Sequence, residues 1–504
     1  MAISLTPLLT LINNCDAITG WSAGTLDTST FREGTGSLGA KVSAALGVVY
    51  KYDQGGAGGV NMTGEHFFVW MMSTSTIDTL ANGGMRIYAE DTSANWIEWW
   101  VGGSDNYGGG WQRFCVSSGA TGQLTSGTYN PAAHRYIGIR FKATGKSTVN
   151  NTFWDFLHYG SGIKIKSAAT DNITWQNVFA ADDAAAYGIV SKLRGMFFIQ
   201  GRLEFGDTSS GDIDFLDTSQ IVLFQDSPRV ASTLYQVIIQ GNAAGTTNFQ
   251  LGSKSGESGI SGCILKSGGA TKFSITATDT NIDELKLYGC TFLDAGTISL
   301  PSNTTGREVL NCSFEVCAQV LADTCIVKNC NLVSSGARAI KMSSTSHNIT
   351  SSNFINCPQA VEINVAGTYT FNALKFSGNT TDIDNTSGGL VTVNCANGSN
   401  PSTYTGSTTI NNTVTLEING VSYGTKCRIE KTSDGSALLS GTAITLDDTG
   451  VTYKATAQWN FVPSTQVRVK ARLAGYLPFQ STTTIPTGGL TVTAVWQTDP
   501  NYTP

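Results

Sequence analysis

Four aspartates fall within the run GDTSSGDIDFLDTS: Asp207, Asp212, Asp214 and Asp217. Two carboxyls about 5 to 9 Å apart are what glycoside hydrolysis needs, one donating a proton while the other acts as base or nucleophile. On an extended strand Asp212 and Asp214 project to the same side, and side chains on adjacent coils of a stacked chain can meet the required separation. Asp212, Asp214 and Asp217 are therefore the candidate catalytic set. The plainer reading is that they are turn residues and solvated carboxylates, and Asp182-Asp183 reads as a loop. A second constellation is Trp96-Ile97-Glu98-Trp99-Trp100-Val101, where Trp96, Glu98 and Trp100 share one face of a strand and Ile97, Trp99 and Val101 the other. Aromatic rings beside a carboxylate on an exposed sheet face make a platform for a sugar ring, and Tyr107 and Trp111 extend the candidate carbohydrate-binding set. Trp is equally a large core residue, so the same run also reads as packing.

Other motifs lack the context their chemistry requires. GWSAG at 20–24 has the G-x-S-x-G form of a nucleophile elbow, but TLDTST follows it and cannot start the long helix that such a turn enters. Gly145-Lys146-Ser147 ends like a phosphate loop, yet position 140 is Arg140 where the first glycine of the cradle belongs. The histidines at 66, 134, 158 and 347 are scattered and no zinc-type CxxC pair occurs, so neither a metal nor any other cofactor is expected.

The elements that would carry these residues are set by a repeat. Between Ile282 and Cys395 one column holds Phe292, Phe314, Leu332, Phe354 and Phe376, at intervals of 22, 18, 22 and 22 residues. Two residues earlier stand Cys290, Cys312, Cys330, Ser352 and Leu374, and six to nine later stand Ile298, Val320, Ile340, Val361 or Ile363, and Ile383. A period near 20 built of short β-branched runs, with Asn and Ser at the breaks, marks a stacked solenoid. Each coil is too small to own a core, so inward side chains must pile onto the same column of the next coil. The expectation is a parallel β-helix with Cys290, Phe292, Cys312, Phe314, Cys330, Leu332, Phe354 and Phe376 as its core ladder. A β-sandwich with evenly spaced strands is the alternative.

Composition agrees with an all-β chain of several domains. At 504 residues roughly three domains are expected, and 13% charged residues with 56 glycines favour many turns over helices. The net charge of −6 gives no sign of a nucleic-acid partner. Eight of the 11 cysteines lie between Cys263 and Cys395, on inner columns, which suggests stacked thiols rather than a disulfide framework. The start, MAISLTPLLTLINN, lacks the charged flank of a signal peptide, and no apolar run approaches the ~18 residues of a membrane span. Folding in a reducing cytoplasm without membrane insertion is the expectation.

Along the chain, residues 1–148 carry strand-like runs such as GEHFFVWMM, GMRIYAE and RYIGIRFKA without the repeat, and read as an antiparallel β-sandwich. Residues 149–396 read as the β-helix, looser at first, with ITWQNVF at 173–179 laid over VLNCSF as an early rung. NGSNPSTYTGSTT at 397–409 reads as a linker, 410–498 as a small Ig-like sandwich, and 499–504 as a tail. An open aromatic end of the solenoid needs a cover.

Two resemblances add to this. DTSTFREGTGSLGAKVS, residues 27–43, resembles the early strands of concanavalin-like lectin sandwiches, with Phe31 starting a strand, Glu33-Gly34 turning it and Ser37-Leu38 re-entering the sheet. FWDFLHYGSGI at 153–163, AAAYGIVSKLRGMFFIQGRLEFGD at 184–207, VRVKARLAGYLPFQ at 467–480 and LTVTAVWQTDPNY at 490–502 resemble structural proteins of tailed-bacteriophage virions. That resemblance implies an N-terminal concanavalin-like β-sandwich, a central right-handed parallel β-helix and a C-terminal Ig-like β-sandwich. It implies a non-enzymatic fibre, spike or head-decoration subunit located in the virion. Its partners would be other virion proteins, further copies of itself (a trimer) and host cell-surface polysaccharide. The alternative is a polysaccharide-depolymerising tailspike using Asp212, Asp214 or Asp217.

Overall fold

The computed structural model describes residues 3–502 except 41–48, 75–79, 103–109, 144–151, 169–170, 209–211, 225–234, 256–258, 269–270, 302–305, 323, 448, 462–464 and 487. Tyr107 and Gly145-Lys146-Ser147 lie outside the described residues. The chain is all-β, with 55% of residues in strands and 4% in helix. It gathers into two compact units, residues 1–321 and 322–504.

In the first unit, two antiparallel sheets share one core. The five-stranded sheet runs Tyr50–Asp53, His134–Ala143, Leu80–Asp91, Trp96–Gly102 and Leu124–Ser126 in spatial order. The other is built on the long strand Thr152–Ser167, which pairs antiparallel with Ile3–Asn13, Ser37–Ala40 and His66–Ser73. Period-two alternation decides what is buried: Phe67, Val69 and Met71, then Met85, Ile87 and Ala89, then Ile97, Trp99 and Val101, then Ile137, Ile139 and Phe141 all enter the same core. Thr152–Ser167 breaks the alternation at a bulge between Asp155 and His158, so that Trp154 and Leu157 both point inward.

Phe31 does not start a strand; it is 41% exposed, between the strands Thr25–Asp27 and Ser37–Ala40. Two carboxylates hold that segment as a loop. Asp155 accepts the backbone N–H groups of Arg32 and Glu33 at 2.8 and 3.0 Å, and Asp16 accepts those of Thr35 and Gly36 at 2.5 and 2.8 Å. Local side-chain acceptors have outcompeted sheet pairing there.

The far end of Thr152–Ser167 changes partner type. Gly162–Ile165 pairs in parallel with Arg202–Phe205, and that ladder continues through Gln236–Ile239, Ser274–Thr276, Thr297–Ser299 and Gln319–Leu321. A second parallel ladder contains Met196–Ile199, Ile221–Phe224, Ile264–Ser267, Thr291–Leu293 and Ser313–Glu315. A third contains Ile213–Asp217, Thr247–Leu251, Glu284–Tyr288 and Arg307–Leu310. From Met196 onward the chain visits the ladders in one fixed cyclic order. Inward rings stack: Phe215 on Phe249 at 5.0 Å, Phe224 on Phe273 at 4.4 Å, and Phe292 on Phe314 at 5.0 Å with their planes 8° apart.

The rung expected from ITWQNVF is instead a helix, Trp175–Ala184. Thr174 and Asn177 form a reciprocal capping box, and the Asp217 carboxylate accepts the Trp175 N–H at 2.8 Å. Buried Trp175 lies 5.8 Å from the Phe205 ring and 5.2 Å from Phe215, so the helix covers aromatic side chains of the first turns. Asp182 and Asp183 belong to this helix rather than to a loop.

The second unit has the same three-ladder grammar. One ladder holds Ile326–Lys328, Asn348–Thr350, Gly367–Asn372, Val391–Ala396 and the start of Thr408–Val421. Another holds Asn331–Val333, Asn353–Ile355 and Lys375–Ser377, where Phe354 stacks on Phe376 at 5.1 Å. The last holds Ile340–Met342, Gln359–Ile363, Thr381–Asn385 and Tyr404–Thr405. Residues 397–409 are thus a further turn and not a free linker. Their hydroxyls and amides plug the previous turn: Ser399 Oγ donates to Phe371 O at 2.9 Å, and Asn400 Oδ1 accepts the Phe376 N–H at 2.9 Å.

Thr408–Val421 then pairs antiparallel with Tyr453–Phe461 and parallel with Leu490–Thr493. A four-stranded antiparallel sheet, Ala437–Thr442, Lys426–Lys431, Gln466–Arg472 and Phe479–Thr484, shares a core with it through Leu416, Ile418, Ile429, Val467 and Val469. The expected tail is tied down as far as Tyr502, with Asp499 N–H donating to Gly475 O at 3.1 Å.

The Asn and Ser residues at the breaks have a geometric reason. Gly289 and Asn311, each just before an inward Cys, have φ of 60° and 55°; Asn329, Ser351 and Ala373 have 56°, 49° and 55°. A left-handed residue turns the chain from one ladder into the next, and Gly, Asn and Ser are favoured or tolerated there.

Candidate functional site

The strand Trp96–Gly102 turns Trp96, Glu98 and Trp100 away from the core, next to Arg86, Tyr88 and Glu90 of Leu80–Asp91. Glu98 has no exposed surface. Arg86 Nη1 lies 3.1 Å from one of its oxygens and Arg140 Nη1 2.7 Å from the other. Burial pulls the Arg86 guanidinium below its ordinary pKa, while the Glu98 charge opposes that shift. The Arg86 guanidinium also sits 4.4 Å from the centre of the Trp100 ring. Glu98 is consequently a structural anion between two cations, with no oxygen to offer a sugar hydroxyl, contrary to its place in the candidate set.

What the face does present is aromatic. Trp96 lies 5.7 Å from Tyr88, whose hydroxyl donates to Glu90, and Lys51 Nζ sits 4.4 Å from the Tyr136 ring and 2.8 Å from Glu90. Tyr88 and Tyr136 were absent from the candidates read from sequence. Reading GMRIYAE and RYIGIRF at period two beside NWIEWW would have placed them on the same face. Trp111 packs elsewhere, against Trp70, Phe156 and Ala186, so it does not join Trp96 and Trp100.

The carboxylate run separates into different tasks. Asp207 is paired with Lys166 at 2.9 Å and Lys164 at 3.3 Å. Asp212 accepts the Thr246 N–H at 2.6 Å. Asp217 is spent on the Trp175 N–H, on its neighbour's Thr218 N–H at 2.7 Å and on Gln220 Nε2 at 3.2 Å. Asp214 stands apart: burial pushes its carboxyl above the usual range, and Glu284 adds to the shift. Register places Asp214 beside Asn248 and Asn248 beside Glu284, which puts two rungs, about 10 Å of backbone, between the carboxylates. Glu284 was not legible as a partner, because 70 residues of varying turn length intervene in sequence.

The remaining motifs hold the fold. Ser22 Oγ donates to Val49 O at 3.3 Å, and Trp21 before it makes a bridge to Tyr52 rather than ending a strand that enters a helix. The core-ladder residues Cys290, Phe292, Cys312, Phe314, Cys330, Leu332, Phe354 and Phe376 are all buried, and all 11 cysteines are buried as thiols rather than disulfides. Among the described residues no cluster of three His, Cys, Asp or Glu side chains could hold a metal ion, and no helix is long and apolar enough to cross a membrane. No protein-family profile matches the chain, and no curated protein matches it significantly.

Proposed function

We propose that the chain is a structural subunit of a tailed-bacteriophage virion, a rigid fibre, spike or decoration element that serves attachment or assembly and contacts host glycan. In this reading residues 1–148 form a lectin-like β-sandwich, 149–396 a right-handed parallel β-helix and 410–498 an Ig-like β-sandwich, assembled as a homotrimer. The observation that carries it is the repeated cyclic order of the parallel ladders with the same inward rings in register, as in Phe292 on Phe314 and Phe354 on Phe376. A coil hydrogen-bonded turn to turn resists bending and unravelling without disulfides, which suits a part that must survive outside a cell. The test is electron microscopy and mass spectrometry of purified particles carrying a label at the C-terminus. The chain should appear at one place on the particle in a fixed copy number divisible by three; its absence from purified particles refutes the reading.

One observation favours a second reading, a polysaccharide-depolymerising glycoside hydrolase. Burial, with a contribution from the Glu284 charge two rungs away, shifts the Asp214 carboxyl upward, which is the direction a general acid needs. If this reading holds, Asp214→Asn and Glu284→Gln each abolish cleavage of host polysaccharide. Cleavage that persists in both variants, or none by the parent chain, removes it.

A further inference from the structure

The four-stranded sheet of the second unit carries an unbalanced charge on its outward face. Cys427, Ile429, Val467, Val469 and Ala471 point into the core, which leaves Lys426, Arg428 and Glu430 facing out on one strand and Arg468, Lys470 and Arg472 on the next. Register sets Lys426 opposite Arg472 and Arg428 opposite Lys470. Like charges directly opposite each other on a sheet are destabilising, so the Lys426–Arg472 pair is not explained by folding. The one carboxylate, Glu430, serves three cations: Lys470 Nζ at 2.5 Å, Arg428 Nε at 2.8 Å and Arg468 Nη1 at 3.5 Å. Five cations against one carboxylate leave this face at +4 in a chain whose net charge is −6. Lys426 has only the Thr442 hydroxyl, at 2.8 Å, and Arg472 has no ion-pair partner among the described residues.

The rest of the face says what kind of polyanion fits. The cationic strands are flanked by Ser440 and Thr442 on one side and by Gln480 and Thr482 on the other, in register with Arg428, Lys426, Lys470 and Arg468 respectively. Each row therefore presents charge at the centre and a hydroxyl or amide at the edge, with cations about 5 Å apart across strands and about 7 Å along them. No aromatic ring stands in these rows to stack a nucleobase, and among the described residues of this sheet no helix is present to enter a groove. Regularly spaced charge among hydroxyls is the chemistry of an acidic polysaccharide.

We propose that this face binds an acidic polysaccharide, one bearing carboxylates or sulfates along its chain. The cations take the charged groups, and the flanking hydroxyl and amide side chains take the sugar hydroxyls. The assignment rests on the host-glycan part of the function proposed above and names its ligand class.

The test uses the full chain in biolayer interferometry against polygalacturonate, dextran sulfate and neutral dextran, with duplex DNA and phosphatidylglycerol vesicles as competing polyanions. The parent chain should bind the two acidic polysaccharides and not dextran, and binding should weaken about tenfold or more between 50 and 300 mM salt as the charges are screened. The double variant K426S/R472S, at exposed positions, should lose about tenfold or more in affinity with an unchanged melting curve. A control variant, Lys254→Ser, should bind as the parent does. Undiminished binding by K426S/R472S, or tighter binding to DNA or vesicles than to both acidic polysaccharides, overturns the assignment. Failure here while the chain is still found in purified particles discards the ligand and leaves the virion reading standing.

Discussion

Two sheet faces use the same device, a glutamate among cations, and end with opposite properties. On the five-stranded sheet Glu98 is fully buried between Arg86, itself 2% exposed, and Arg140, with the Trp100 ring over Arg86. On the four-stranded sheet Glu430 gathers Arg428, Arg468 and Lys470, but the side chains of Arg428 and Arg468 stay 47% and 42% exposed. In sequence WIEWW and CRIEK look alike: a glutamate at an outward position of a strand. The neighbours decide the outcome. Aromatic residues close off the first carboxylate and commit it to the fold, whereas the second is covered by cations that themselves stay exposed and outnumber it.

The largest expected effect follows from that burial. Glu98→Gln leaves two guanidiniums in a nearly dry site with no anion, and breaking a buried ion pair from one side costs about 3–5 kcal/mol. Chemical denaturation of the variant should show a loss of that order in the first unit. A loss under about 1 kcal/mol, the size of an exposed pair, would mean that water already reaches Glu98 and that the two faces are not different in kind.

A smaller effect separates the first unit from the C-terminal core by pH. In the first unit burial holds the imidazoles of His66 and His158 down at about 3 and that of His134 at about 4, while it lifts the carboxyls of Asp155 and Asp182 to about 7. Between pH 4 and 6 the unfolded chain protonates the three histidines, whose ordinary value is near 6.5, while the folded chain protonates the two aspartates. Unfolding then takes up about one net proton, so stability should fall by about 1.4 kcal/mol for each unit of acidification. Above pH 7 the sign reverses, because the folded aspartates must ionise in place, and the optimum lies near pH 6.5. Asp182→Asn removes one folded-state proton and should double the acid slope. The carboxylates around the four-stranded sheet differ in cause: Lys470 holds Glu430 down, and the hydroxyls of Thr452 and Thr449 hold Asp447 at about 2. The unfolded chain protonates such carboxylates only near their ordinary values of about 4, so melting of the C-terminal core should be flat from pH 6 down to about 5 and fall below that. A matching slope between pH 5 and 6 in the first unit and in the C-terminal core would erase the distinction.

Sequence showed most where each turn has the same length. From Asn331 the second-unit ladder recurs at Asn353 and Lys375, an interval of 22 each time, and the inward Phe and Cys columns are visible by eye. The first turns were harder to read because the ladder starting at Met196 recurs at Ile221, Ile264 and Thr291, intervals of 25, 43 and 27. Extra residues at the corners shift the period without changing the pairing. The helix was missed because ITWQNVF has strand composition and only the Thr174–Asn177 cap, with Asp217 arriving from 42 residues away, tips it over. The turn at 397–409 reads as a linker for the opposite reason: Ser399 and Asn400 look like loop residues and are in fact satisfied by the backbone of the preceding turn. Of the candidate sites, the facing of Trp96 and Trp100 was legible from alternation. The fate of Glu98 was not, since Arg86 and Arg140 come from strands whose register no local pattern fixes.

The smallest predicted effect tests the exposed face directly. Glu430→Gln removes the one anion shared by Lys470, Arg428 and Arg468. If the face behaves as a solvated surface, its cations relax into water, and the melting temperature moves by no more than about 2 °C. The same change raises the charge of the face from +4 to +5, because it removes one carboxylate from the five-to-one set. Affinity for polygalacturonate should therefore rise by roughly two- to fivefold at low salt, and the gain should vanish at high salt. Glu98→Gln, far costlier to the fold, should leave polygalacturonate affinity unaltered at temperatures where the variant remains folded. Were Glu430→Gln to lower both the melting temperature and the affinity, Glu430 would be a keystone of its sheet just as Glu98 is, and the cations around it would be structural partners rather than a surface waiting for a ligand.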